Sequence, residues 1–487
     1  MKQLSILILA SLLLAGCSDT TGVQTEKETD TVTQPPVVTE ETDPLAELFK
    51  IQPESNDGKV ITVLTHDYHA YEMLAPEYNA ELINDAVYDR NMAVEELLGI
   101  KFEVLTRPGY YDDRAEFWNV VSSSIMAGDG AHDIVCAMVS CMQPYATPEY
   151  YLDILTLDDV NLDNPWWVSS MKDDLSLQGK LICVIGDMNL SLYNQFPVVF
   201  ANTTLLGSHD IDAASLYNSV NDGTWTFEKV FTLSRGTEQD LNGDGKIEPE
   251  TDRIGLGIVK TPFWALQAAF DLHNITLDDD GNPYVVGLTE RYANAAEYLA
   301  SNIHGNQSVT LEGDVYSITE TFAESRSVFH ISRLNDVEQM RNMEDNFAIL
   351  PFPKLDEEQD TYRTLIATAT NMNYIPVTVD DPALIGRVLE SLMYYSCREV
   401  VPAYYETALK ERYSRDEDTQ KMLDIIRLGA ALPFEYAYST ALNWPHNVMA
   451  LAVMDNTAGK LSSSIKSQSK SWEKALEKLL ESYNADS

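Results

Sequence analysis

The sequence predicts an α/β fold in two domains, and three observations carry that expectation. From residue 60 onward, short continuous apolar runs alternate with helix-periodic stretches, the pattern of a mostly parallel sheet covered by helices. Near the middle, two apolar runs at 180–185 and 197–201 meet across the polar break Gly186-Asp187-Met188-Asn189. Both runs are continuous and not alternating, so both are expected as strands buried on two faces. At 487 residues the chain is long enough for two or three cores. The break then reads as a crossover between domains, with Asp187 facing whatever lies between them. An ordinary surface turn is the alternative.

The N-terminus carries the most specific local signal. Lys2 is followed by an apolar run over 4–14 and by Leu14-Ala15-Gly16-Cys17. The run is too short to span a bilayer and reads as a secretory signal. Its end resembles the bacterial lipobox, which implies lipidation of Cys17 and a mature protein attached to the membrane only through lipid. Residues 18–57 are rich in Thr, Glu, Asp and Pro and are expected as a disordered linker. The formal charge of −43 argues against a nucleic-acid partner, since nothing here would neutralise phosphates. Cys136 and Cys183 sit in apolar runs and are expected as buried thiols. A Cys136–Cys141 bridge is left open, and Cys397 has no close partner in sequence.

Taken in order, residues 60–65 are the first strand, ending in His66, Asp67, Tyr68 and His69. A helix is expected over 85–98, closed by Gly99. A strand at 102–105, a helix over 112–127 and a strand at 134–139 follow. Ligands of such sheets sit beyond the carboxyl ends of the strands, which singles out Asp67, Tyr68 and Ser140. His66 and His69 are expected as a surface pair in preference to a metal pair. Beyond the crossover, Thr226 is placed to cap a helix starting at Phe227. Strands are expected at 328–332 and 347–350, a second crossing at 365–369, and a helix over 382–395. The remainder reads as helical: 411–428, then 443–453 carrying Trp444, then 471–483.

Residues 240–252 match the core of a calcium loop, D-x-N-x-D-G-x-I. Asp240, Asn242, Asp244, Lys246, Glu248 and Asp252 are the candidate ligands of a structural Ca²⁺. Position twelve, where a bidentate glutamate belongs, is Thr251, so the closing carboxylate is out of register by one. A turn of Asp, Asn and Gly without an ion is the alternative.

The conjunction of segments resembles a known family. Gly179-Lys180-Leu181-Ile182, the break at Asp187 and the apolar strand ending at Asn202 are similar to the first hinge of extracellular solute-binding lipoproteins of sugar-type ABC transporters, the maltose-binding-protein-like family. Asp222-Gly223-Thr224-Trp225-Thr226, then Leu350-Pro351-Phe352-Pro353-Lys354 with Gln359 and Tyr362, look like its recurring segments. So does the Asp-rich loop leading to Gly255-Leu256. The resemblance implies a two-lobed α/β periplasmic-binding-protein fold with interlobe hinge strands and a ligand cleft. Lobe one would comprise 58–186 and 365–408, and lobe two 187–364 and 409–487. It implies a carbohydrate ligand, delivery to the permease subunits of an ABC transporter, a monomer, and a place on the extracellular face of a bacterial membrane. Asp187 resembles the family's hinge acid, and Trp264 and Trp444 match places where aromatic rings meet sugar. Indoles stack on C–H faces and carboxylates accept from hydroxyls, so these residue types suit a sugar. Core packing is the alternative for each tryptophan. Trp118 and Trp472 are expected to be structural. At Arg333-Leu334 the chain departs from the family's usual Asn-Gly-Pro-Trp, which leaves room for an acidic or modified sugar.

No nucleophile motif is present, so a non-enzymatic capture protein is expected. A carbohydrate-active enzyme using acidic pairs such as Asp67 and Asp187 is the alternative from another class. A receptor for peptide or metal is a third.

Overall fold

Two open sheets organise the chain, and most of their strands are the buried apolar runs of the sequence. The computed structural model describes residues 43–142, 146–312, 315–409 and 417–484. Cys17 and the expected signal lie outside the described residues. No described helix is long and apolar enough to cross a membrane. In chain order the strands are β1 (Lys59–His66), β2 (Ile100–Arg107), β3 (Ile134–Met138), β4 (Pro197–Asn202), β5 (Ile254–Val259), β6 (Ile275–Leu277), β7 (Pro283–Val285), β8 (Val309–Glu312), β9 (Ser327–Arg333), β10 (Phe347–Pro351), β11 (Thr364–Leu365), β12 (Asn371–Tyr374) and β13 (Ala430–Ala431).

The first sheet has the order β12-β3-β1-β2, and the second the order β10-β4-β9-β5-β8. Each has a parallel core: β3-β1-β2 in the first, β9-β5-β8 in the second. The expectation of mostly parallel pairing needs correction at one strand of each sheet. β12 runs antiparallel to β3, and β4 runs antiparallel to both β9 and β10. Both strands lie next to long connections that return the chain from the other sheet, and such returning strands commonly enter against the parallel core.

β12 escaped the sequence reading because two of its four residues, Asn371 and Asn373, are depleted in strands. Tertiary bonding overrides that propensity. Asn371 and Asn373 are fully buried. Asn371 donates to Glu72 at 2.6 Å and meets His66 Nε2 at 2.7 Å, while Asn373 donates to Asn189 at 2.8 Å. His66 and His69 are therefore buried beneath the turn after β1, not a surface pair. Burial lowers both imidazoles, His69 to about 4.

Other boundaries also move. The run at 180–185 is half-buried at Lys180 and buried from Leu181 to Ile185, but it forms isolated bridges and no ladder; Val184 pairs with Asn373. Gly186 is needed for close approach and not for backbone angle: a Cβ there would meet Met393 Sδ and the Trp166 carbonyl, each at 2.5 Å. Residues 48–57 belong to the compact unit Leu48–Ser487 and not to a linker. Phe49 stacks on Tyr394 with centroids 4.0 Å apart, and Glu54 accepts from Arg387 at 3.0 Å. Helix Leu82–Leu98 ends at Gly99 in the left-handed region, φ 59°, as expected. The last two helices are Asn447–Met454 and Leu461–Asn484, so Trp444 lies ahead of a helix, not on it.

Candidate functional site

A cavity of about 310 Å³ lies at the carboxyl ends of strands from both sheets. Its wall takes Tyr111 from the segment after β2, Thr261 and Trp264 from the segment after β5, and Arg333 from the end of β9. Ala367, Thr368 and Ala369 come from the approach to β12. Tyr436, Trp444, His446 and Asn447 come from the stretch before helix Asn447–Met454. Three of the expected site residues, Trp264, Arg333 and Trp444, thus meet in one wall.

The other expected residues lie elsewhere. Asp67 and Tyr68 are exposed on the turn after β1 and do not line the cavity. Rings connect Tyr68 to the wall: it packs on Tyr110 at 4.5 Å, and Tyr110 on the wall residue Tyr111 at 4.9 Å. Asp187 is 3% exposed and outside the wall. Arg427 Nε donates to its Oδ1 at 3.1 Å, Arg427 Nη2 pairs with its Oδ2, and the Tyr193 hydroxyl donates to Oδ1 at 2.5 Å. An aspartate so engaged ties helix Glu417–Leu428 to the crossover and does not face the space between the sheets. Trp166 and Trp167 are buried, and both indoles donate to Glu390. Trp472 is fully buried, and Trp118 packs edge-on against Tyr150.

Trp444 is the unusual member of the wall. It is 42% exposed, and both it and Asn443 adopt φ 60°. A bulky residue in the left-handed region is strained by roughly 1–3 kcal/mol and persists only where its surroundings hold it there. Here the Trp444 amide donates to the Ser439 carbonyl at 2.9 Å. His446 lies against Tyr436 at 4.1 Å, and the Tyr436 hydroxyl donates to the Trp264 carbonyl. One phenol therefore links the two tryptophan segments. Burial lowers His446 to about 3, so its ring is neutral at pH 7.

Beneath this wall a buried network holds the segment in place. Glu435, fully buried, accepts from Gln267 Nε2 at 2.9 Å and from the amides of Asn274 and Ile275 at 3.0 Å each. Asn274 Nδ2 donates to the Pro445 carbonyl at 2.8 Å. His273 lies between Asp271, at 3.1 Å, and Glu435, at 3.5 Å. Burial lowers its imidazole, but the two carboxylates outweigh that and raise it to about 9. A raised histidine contributes stability that is complete below its unfolded value near 6.5 and is lost as pH rises through about 9. The expected result is a urea midpoint that falls between pH 6.5 and 9, with a slope from this group of up to about 1.4 kcal/mol per pH unit. His273→Gln should flatten that limb; an unchanged limb in the variant would refute the assignment.

The sequence reading missed Tyr436, His446, Glu435 and Tyr111. One signal was available: aromatic residues crowd between Pro433 and Pro445, a bracketing that a continuous helix does not tolerate.

The Asp-rich loop is organised by its own backbone. Asp240 accepts from the amides of Gly243 at 2.6 Å and Gly245 at 2.8 Å, Asn242 from Asp244, and Asp244 from Lys246. Asp252 is buried and accepts from Leu241 and Glu248, and the Lys246 ammonium lies 3.8 Å from Glu248. Among the described residues, no group of three or more His, Cys, Asp or Glu side chains is arranged to hold a metal ion. The loop thus takes the form of Asx turns built on Asp240, Asn242 and Asp244. Cys136, Cys183 and Cys397 are free thiols, the first two buried.

No family model and no curated protein matches the chain. Among solved structures it is similar to one described as maltose-bound MalE3 of T. maritima, with 11% sequence identity, 84% of this chain and 99% of that chain covered, and a TM-score of 0.47.

Proposed function

We propose that this chain is a lipid-anchored, non-catalytic binding protein. It captures a carbohydrate at the cavity between its two sheets and delivers it to the permease of an ABC transporter, on the extracellular face of a bacterial membrane. The observation that carries the reading is the wall itself. Two indoles and two phenols supply stacking surface for C–H faces, while Thr261, Thr368, Gln195 and Asn447 supply hydrogen bonds for hydroxyls. The hinge-like pieces around it fit capture: the chain passes from the first sheet to the second through the segment carrying Asp187, and returns to the first from β10 through β11 into β12. The reading as a monomer and the anchor at Cys17 rest on the sequence.

Hydrolysis of a glycoside is less well served. Its acid and base must flank one bond, and the structure does not bring Asp67 and Asp187 into the wall. Calcium at the Asp240–Asp252 loop is retained as a separate proposal, resting on the sequence motif.

Melting the mature soluble form against a panel of mono- and oligosaccharides tests the reading. A sugar at a hundred times its Kd stabilises the native state by about 2.7 kcal/mol. Stabilisation by one sugar class, with no product formed on incubation, is expected. Stabilisation only by peptides would overturn the substrate class, and release of a reducing end would overturn capture. The same melts with calcium and with chelator decide the loop: equal midpoints would remove calcium from the account.

A further inference from the structure

The chain carries 76 Asp and Glu against 33 Lys and Arg, yet among the described residues the cavity wall contains no carboxylate. Its charged residue is Arg333. The charge the wall itself presents is thus a cation, whose ion pair is with the buried Asp336 behind the wall. A wall for a neutral sugar is expected to offer carboxylates, because these are the strong acceptors for hydroxyl donors. The aspartates that would have served, Asp67 and Asp187, lie outside it.

Arg333 is also incompletely used. It ends β9, with its backbone in register with Pro197 of β4. Its Nη1 reaches Gln195 at 3.4 Å and its Nη2 reaches Asp336 at 3.4 Å, both near the limit of a hydrogen bond. Its Nε is buried and has no partner. Asp336 is itself shared, since it also accepts from the Ser332 hydroxyl, the Arg333 amide and Gln339. A buried donor left unpaired carries a cost that a ligand acceptor removes. The guanidinium edge is planar and matches an anion with two or three oxygens in one plane of approach.

We propose that the captured solute is an anionic saccharide, its carboxylate or sulfate held by Arg333 while its ring stacks on Trp264 or Trp444. This rests on the carbohydrate reading and specifies its charge. An anionic ring supplies the acceptor that the wall lacks for its guanidinium. Trp264 and Trp444 share the wall with Arg333, so ring and anion are recognised within one cavity.

The test is calorimetric titration of the mature protein with three matched disaccharides: a neutral one, one bearing a uronate, and one bearing a sulfate ester. The uronate or the sulfate is expected to bind about ten- to a hundredfold more tightly than the neutral compound, the margin of a charge-assisted bond. Whichever of the two does so identifies the anion. Arg333→Gln should erase the margin, and Arg333→Lys, which keeps the charge and loses the fork, should restore part of it. Equal binding of neutral and charged sugars, or a margin intact in Arg333→Gln, would overturn the inference while leaving sugar capture standing. An acidic dipeptide as a fourth titrant separates the two readings. Its tight, Arg333-dependent binding with no saccharide bound would overturn the sugar and the inference with it. Near-parental melting of both variants shows that the comparison is between folded proteins.

Discussion

Arg427→Met is expected to destabilise the protein by about 3–5 kcal/mol, because it leaves the Asp187 carboxylate buried without its counter-charge. Arg427 is 15% exposed at its side chain and Asp187 4%, so water screens the pair little. Arg427 also donates to the Pro165 carbonyl at 2.8 Å and to the Tyr193 hydroxyl at 3.1 Å, and the Tyr193 hydroxyl already donates to Asp187. Removing the guanidinium therefore leaves three acceptors short of a donor. A double variant, Arg427→Met with Asp187→Leu, should recover much of the loss, since replacing a buried pair by apolar groups is often close to neutral. Urea unfolding of the four proteins in the cycle isolates the coupling. A single Arg427→Met variant within 1 kcal/mol of the parent would show that the pair contributes little, as exposed pairs do.

Trp444→Gly is expected to separate stability from binding. Glycine adopts φ 60° freely, so the substitution relieves backbone strain, and the half-exposed ring has limited burial to lose. The urea midpoint should hold or rise, while saccharide affinity falls by about ten- to a hundredfold through loss of a stacking face. Trp264→Ala makes the contrast. It should lower affinity to a similar degree without gaining stability, because Trp264 carries no such strain. A ring that were simply core would behave differently: Trp444→Gly would then lower the midpoint sharply and leave affinity untouched.

These residues also show how far the sequence could be read. Trp264, Arg333 and Trp444 were legible as site candidates through the resemblance of their surroundings, and the cavity unites them. Tyr436, His446 and Glu435 were not, because their part in the site comes from contacts across long separations. Glu435 meets Gln267 and Asn274 more than 160 residues away in sequence. Asp187 was legible as a crossover residue, but its partner Arg427 lies 240 positions on. No local pattern announces a pair of that kind. The Asp-rich loop illustrates the reverse limit. Its residue types satisfy a calcium motif and its side-chain oxygens accept from its own amides, so ion and turn share one local pattern that calcium titration separates.

The sequence by itself determined the α/β class, six of the nine strands in the two large sheets and the helices with clear caps, because apolar periodicity and glycine or threonine signals act over a few residues. It also determined the acidity of the chain and the aromatic stock of the site. The tertiary structure alone decided the direction of β4 and β12, the burial of His66, His69 and Asp187, and the choice of Arg333 as the charge in an acid-free wall. Each of these depends on which distant groups meet when the two sheets are assembled. Hydrogen bonds and ion pairs in a dry interior then outweigh local preference.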